Sequence, residues 1–177
     1  MFDLLQKSIG NLSLLAGRLA SWLTTILVLL ICIDVFMRYS LNISHVWVTE
    51  LETHFFALIF LLGAAYTLNK DAHVRVDLFY ANVSERRKAI INFFGVLLFL
   101  IPWCLVVLRA SFRYAQNSFR INETSPDPGG LPALWIIKFS IFFAFILLIL
   151  EAIAVLIRSI QVLMGKRTAV FSESNDH

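Results

Sequence analysis

The chain has 177 residues, of which 59% are hydrophobic, and a formal net charge of +3. Its mean hydropathy of +0.78 excludes an ordinary soluble domain, in which apolar residues make up about half of the chain. Both cysteines, Cys32 and Cys104, lie in apolar segments without a Cys-x-x-Cys spacing, so neither a disulfide framework nor a metal site is indicated. Composition therefore predicts an integral membrane protein.

Four long apolar segments predict a single all-α membrane domain over residues 1–177, because a transmembrane helix needs roughly 20 apolar residues. The predicted spans are about 19–37, 47–68, 89–108 and 134–156. Residues 1–17 place apolar side chains at helical spacing, which indicates an amphipathic N-terminal segment in the membrane interface. Gly17 is then expected at a bend into the first span. The short turn at 40–46 predicts an antiparallel hairpin of the first two helices.

The third helix is predicted to be longer than its span. It begins after Ser84, a residue type favoured at helix N-termini, and continues to about Gln116, a length of roughly 48 Å. Pro102 lies inside it and leaves the carbonyl of Leu98 without its usual donor, which predicts a kink. The loop that follows, residues 117–132, contains three of the four prolines.

The distribution of basic residues predicts the orientation. The N-terminal segment, the central connection and the C-terminal tail together hold ten of the 15 Lys and Arg residues, and the opposite side holds five. Because cytoplasmic loops are enriched in Lys and Arg, both termini are predicted to be cytoplasmic, and the hairpin turn and Pro-rich loop lie outside.

Ionisable residues cluster near the outer ends of the first two helices. Asp34 and Arg38 are four residues apart and can pair on one face. That pair either contacts a partner subunit or neutralises itself as the helix leaves the membrane. Glu50, one turn after Trp47, is expected to stabilise the start of the second helix, to use Arg38 as a counter-ion, or to contact another subunit.

Three further residues invite a functional interpretation. His73 and Asp77 are four residues apart, but no nucleophile or metal ligand lies nearby in the sequence, so we expect them to bind a neighbouring protein or lipid headgroups. Glu151 lies deep in the fourth helix, where a charge is costly. We expect it to be either protonated or paired with a group on another helix or subunit.

Several of these pieces, in their order and spacing, resemble the small membrane subunit of the tripartite ATP-independent periplasmic (TRAP) transporters, the four-helix DctQ-like permease. The matching residues are Arg38-Tyr39, Trp47 with Glu50, Gly63-Ala64-Ala65, His73 with Asp77, Ser125, and Leu131-Pro132. The resemblance covers most of the chain and is densest between residues 34 and 80.

The resemblance implies a non-enzymatic subunit, without cofactor or nucleic acid, in a bacterial inner membrane. Its implied partners are a large multispanning permease subunit, a periplasmic substrate-binding protein and membrane lipids. The implied process is sodium-coupled uptake of an organic acid, such as a C4-dicarboxylate or a sialic acid. In this interpretation the chain is a static scaffold without a substrate site. Its outer surface, including Arg120 and Glu123, then helps to dock the binding protein.

Two other functions remain open at this point. A four-helix redox membrane anchor needs facing histidines or paired cysteines, and His54 is the only histidine inside a predicted span. A self-contained small transporter needs a charge near the membrane midplane, which Glu151 provides. Transporters with their own site usually have two interrupted helices, however, and here only Pro102 interrupts a span.

Overall fold

Four long helices make up the part of the chain that the structure, a computed structural model, describes, namely residues 2–71 and 83–171. These are α1 (Phe2–Ser40), α2 (Val46–Asn69), α3 (Glu85–Arg120) and α4 (Trp135–Leu163). All four are long and apolar enough to cross a membrane. The predicted all-α membrane fold is confirmed.

Helix α4 is the element around which the other three pack, since it contacts α1, α2 and α3. Its buried side chains include Ala144, Leu147, Ala152 and Val155. Small residues allow neighbouring helices to approach closely, which is how helices associate in a membrane that offers no hydrophobic driving force. The core therefore runs along one side of α4.

Helix α1 is a single helix of 39 residues, about 58 Å long, and it is not interrupted at Gly17. The predicted bend at that residue is wrong. Ile9 and Ser13 of the amphipathic segment are buried in the bundle, so this segment continues the first span. Gly17 has a different role, because a Cβ atom there would lie 2.5 Å from Cδ2 of Tyr66. The glycine allows α1 and α2 to come together at that level.

Helix α3 changes its hydrogen-bonding pattern in the middle. Residues Val96–Leu100 form a π-helical turn between the α-helical segments Glu85–Gly95 and Ile101–Arg120, and the Ile101 N–H donates to the carbonyl of Val96. Pro102 follows at once and has no N–H to donate, so the ladder has to rearrange there. The helix also continues one turn beyond Gln116. Its 36 residues span about 54 Å, well over the roughly 30 Å of the hydrocarbon core.

The loop between α3 and α4 is folded on itself. The Ser125 N–H donates to the carbonyl of Leu131 at 3.0 Å, and the Leu134 N–H donates to the carbonyl of Glu123 at 3.0 Å. Gly129 has a φ of +79°, a conformation that glycine adopts without strain. This Pro-rich segment is therefore an ordered cap over the end of the bundle at which α3 ends and α4 begins.

Candidate functional site

The inner cluster, which we define as Glu151 with Ser13, Asn69 and Arg158, joins three helices. The Glu151 side chain is completely buried, and its carboxylate accepts hydrogen bonds from the Ser13 hydroxyl at 2.9 Å and from the Asn69 amide at 3.0 Å. The Arg158 guanidinium forms an ion pair with the same carboxylate. A buried charge is tolerated when it is paired and hydrogen-bonded. Here Ser13 and Asn69 provide hydrogen bonds to Glu151, and Arg158 provides the opposite charge.

The inner cluster lies near one end of the bundle. Asn69 is the last residue of α2, and it contacts Glu151, whereas α4 continues to Leu163. Glu151 is level with the last residue of α2 but far from either end of α4, so it lies deep in its own helix, as the sequence predicted. Beyond the cluster, the Gln6 amide donates to the Gln161 side chain at 3.2 Å, which extends the polar contact between α1 and α4.

The outer cluster, which we define as Glu50 with Ser125 and Leu131, attaches the α3–α4 loop to α2. The Glu50 carboxylate accepts a hydrogen bond from the Leu131 N–H at 2.6 Å and another from the Ser125 hydroxyl. Gly130 lies so close that a Cβ atom on it would be 2.8 Å from Oε1 of Glu50. The Glu50 carboxylate thus accepts the hydrogen bond of the Leu131 N–H in place of a backbone carbonyl, and it holds the loop against α2.

A second ion pair holds the same loop to α4. Glu123 accepts a hydrogen bond from the Lys138 ammonium group, which also lies 4.0 Å above the ring of Tyr114 on α3. The hydrogen bond from Lys138 keeps the pKa of the Glu123 carboxyl below its ordinary value. Both ends of the Pro-rich loop are consequently anchored by carboxylates, Glu50 and Glu123.

Asp34 and Arg38 form an ion pair at 2.6 Å near the C-terminal end of α1. Asp34 is buried and Arg38 is half exposed. Across the hairpin, Oε1 of Glu52 is buried and has no hydrogen-bond partner within residues 2–71 and 83–171. Arg38 therefore neutralises Asp34, and it is not the hydrogen-bonding partner of Glu50.

The remaining predicted residues are placed as follows. Trp47 is 43% exposed and its ring stacks on His45 with the ring centres 6.1 Å apart. Arg120 is exposed at the last turn of α3. His73 and Asp77 lie outside the described residues. His54 is half-buried, and no hydrogen bond to its ring occurs in the described part of the chain.

Sequence reasoning missed the partners of the two carboxylates Glu151 and Glu50. Arg158 follows Glu151 by seven residues, two helical turns, and so shares its face, a spacing that the sequence analysis did not use. That spacing is a usable signal. Ser13, Asn69, Ser125 and Leu131 carry no such signal, because each is far from its partner in the chain.

Two concave sites lie on the described part of the chain, and the smaller one is lined by Arg18, Ser21, Trp22 and Thr25. A groove of about 440 Å³ between α1, α2 and α4 is lined by apolar side chains apart from Ser140. Among the described residues, no group of three or more His, Cys, Asp or Glu side chains is arranged to hold a metal ion. The polar groups that do converge, in the inner and outer clusters, hold helices and a loop together.

These features define a multi-pass helical membrane protein whose buried polar residues connect its own elements. The family model for the DctQ component of the tripartite ATP-independent periplasmic transporters matches residues 27–162. The chain therefore belongs to the DctQ family, and the resemblance inferred from the sequence is confirmed. A search of curated proteins found no match.

Membership identifies the chain as a transporter component and a multi-pass protein of the inner membrane. At the level of the family, it implies association with the large TRAP permease and a periplasmic binding protein. The residues of the outer cluster are among those in which the sequence resembles the family, namely Glu50, Ser125 and Leu131.

Proposed function

We propose that this chain is the static membrane scaffold of a TRAP transporter, on which the large permease subunit moves its substrate during sodium-coupled uptake of an organic acid. The observation that carries the proposal is that a hydrogen-bonded carboxylate connects separate elements at each end of the bundle, one fully buried (Glu151) and one partly buried (Glu50). Glu151 connects α1, α2 and α4 at one end, and Glu50 connects α2 to the α3–α4 loop at the other. A framework has to resist the motion of its partner, and fixed ends provide that resistance.

The distribution of polar groups supports the same function. Within the described residues, the carboxylates that are buried in the bundle are engaged by donors of this chain or, as with Glu52, face Asp34 and Arg38. The groove between α1, α2 and α4 is apolar apart from Ser140, and the Ser140 hydroxyl already donates to the carbonyl of Ile137. The only interruption in a helix is the π-helical turn before Pro102, so the paired broken helices of an ion-binding transporter are not found in these residues.

The orientation of the chain in the membrane, with both termini on the cytoplasmic side, is part of the same proposal. With both termini in the cytoplasm, the inner cluster faces that side, and the Pro-rich loop faces the periplasm. A reporter that folds only in the cytoplasm, fused after His177, should then be active. Activity of a periplasm-dependent reporter at the same position would reverse the orientation.

The outer surface, formed by residues 40–46 and 122–132 together with Arg120, is the proposed docking surface for the binding protein. Arg120 is exposed, whereas Glu123 is bound to Lys138, so a charge reversal at Arg120 tests docking without disturbing the loop. Arg120→Glu should change the dependence of uptake on binding-protein concentration at unchanged membrane levels. Unchanged uptake would assign docking to the large subunit alone.

Reconstitution tests the scaffold proposal directly. The purified chain alone in liposomes should neither bind the transported anion nor conduct sodium. Uptake by the large subunit should be lost when this chain is omitted and regained when it is added back. Sodium-dependent transport by this chain alone would refute the proposal.

A further inference from the structure

Three arginines form a narrow stripe on the outer half of α3. At 100° per residue, Arg109, Arg113 and Arg120 lie within about 40° of one another around the helix axis. All three are exposed. In the described part of the chain, none of them is paired with an acidic side chain. Arg120 belongs to the proposed docking surface, whereas Arg109 and Arg113 have no role in the proposed scaffold.

The stripe points away from the bundle. The side of α3 that faces the other helices carries the buried residues Cys104, Ser111, Ala115 and Ser118. On a helical projection this buried side is about 190° from the arginines. The arginines therefore face whatever surrounds the bundle.

One turn before Arg109, the same face is apolar. Leu105 is 51% exposed and Val106 is 64% exposed, and both flank the line of the arginines. The change from exposed aliphatic side chains to guanidinium groups within one helical turn matches the change from acyl chains to phosphates across a bilayer leaflet. An acidic protein surface would account for the arginines but not for the apolar turn directly beneath them.

The helix rise decides which arginines reach the phosphates. Arg109 and Arg113 are separated by about 6 Å along the axis, and Arg120 lies about 16 Å beyond Arg109. The headgroup layer of one leaflet is only about 5–7 Å thick. The first two arginines fit that layer, whereas Arg120 extends past it.

We propose that Arg109 and Arg113 form a binding site for the headgroup of an anionic phospholipid, with Leu105 and Val106 in contact with its acyl chains. Guanidinium groups suit this role because they bind phosphate oxygens in a bidentate way. The site is independent of the proposed transport function, since it depends only on the composition and placement of one face of α3.

Native mass spectrometry of the purified full-length chain, titrated with phosphatidylglycerol or phosphatidylcholine, tests the site. The wild-type chain should bind phosphatidylglycerol more tightly. The double variant Arg109→Gln/Arg113→Gln should lose roughly 30-fold in affinity for phosphatidylglycerol, with little change for phosphatidylcholine. The matched control Arg120→Gln, on the same stripe but beyond the headgroups, should change the affinity less than twofold.

Four results would overturn the proposal. The first is a wild-type chain that does not prefer phosphatidylglycerol, and the second is a double variant that keeps this preference. The third is a double variant that loses affinity equally for both lipids. The fourth is an Arg120→Gln variant that loses as much affinity for phosphatidylglycerol as the double variant. A fifth result identifies the alternative. If the double variant loses binding of the periplasmic partner protein while its lipid preference is unchanged, the arginines serve protein docking. Because the three arginines are exposed, we expect all variants to fold, and an unchanged unfolding temperature checks this.

Discussion

The inner and outer ends of the bundle use the same residue type for different tasks. At the inner end, Glu151 is fully buried and its partners are side chains on three helices. At the outer end, Glu50 binds a backbone N–H and a hydroxyl of one loop. The inner carboxylate thus determines how helices pack, whereas the outer one determines the conformation of a connection. Loss of the first should reduce global stability, and loss of the second should have a local effect.

The largest effect is expected at the inner end. Arg158→Met leaves the Glu151 carboxylate buried without its counter-ion, which should lower the free energy of unfolding by about 3–5 kcal/mol. The exposed Lys166→Met is the matched control, with no expected change. Chemical unfolding in detergent, followed by circular dichroism, measures both.

The double variant Glu151→Leu/Arg158→Met sharpens this prediction. Because both charges are removed together, more than half of the lost stability should return. A single Arg158 variant as stable as the wild type would show that Glu151 does not depend on its counter-ion.

The second largest effect is expected where α1 and α2 meet near the inner end. Gly17→Ala would place a Cβ atom 2.5 Å from the Tyr66 ring, and this overpacking should cost about 1–3 kcal/mol of unfolding free energy. Gly63→Ala is the matched control, because no atom lies within 4 Å of its added Cβ. That control should be neutral or slightly stabilising, since alanine favours helix. Equal behaviour of the two variants would contradict the close approach of the helices.

At the outer end, Glu50→Ala should loosen the loop without unfolding the bundle. The Leu131 N–H loses its acceptor, so its hydrogen exchange should accelerate roughly tenfold or more, while the amides of α4 remain protected. Thr53→Val, which removes a hydroxyl that bonds only within α2, is the control. Hydrogen–deuterium exchange with mass spectrometry compares the three proteins. Equal acceleration in α4 would mean that the outer cluster also controls helix packing.

The smallest effect is expected from Glu123. Since Lys138 lowers the pKa of this carboxyl in the folded protein, the pair contributes stability above the ordinary pKa of glutamate. That contribution is lost as the pH falls through the lowered pKa. As the pH falls below the ordinary pKa of glutamate, the unfolding temperature of the wild type should therefore fall more than that of Glu123→Gln. Parallel curves would show that the pair adds nothing to stability.

The sequence predicted what depends on local pattern. Hydrophobic runs predicted the four helices, and Pro102 predicted a kink where the structure has a π-helical turn, Val96–Leu100, directly before it. Glu151 was expected to be protonated or paired because a charge in a membrane helix is costly, and Arg158, two turns on, is its counter-ion.

Contacts between distant segments could not be predicted. Glu50 lies 75 residues from Ser125 and 81 from Leu131, and no periodicity relates them. Gly17 was misread because a glycine within a helix permits either a bend or a close approach, and only the position of Tyr66 decides between them. The surfaces that contact the partner subunits could not be predicted either, because they depend on the partners as well as on this chain.

Distances within this chain during transport test the central claim, a scaffold fixed at both ends, most directly. Spin labels can be attached at exposed positions of a cysteine-free variant, at Tyr39 and Ile121 for the outer end and at Leu19 and Met164 for the inner end. Pulsed electron paramagnetic resonance then measures both distances in the reconstituted complex, with and without sodium and substrate-loaded binding protein. For a static scaffold, both distance distributions should stay the same while the complex transports. A shift of several ångströms in either distance on addition of substrate would contradict it.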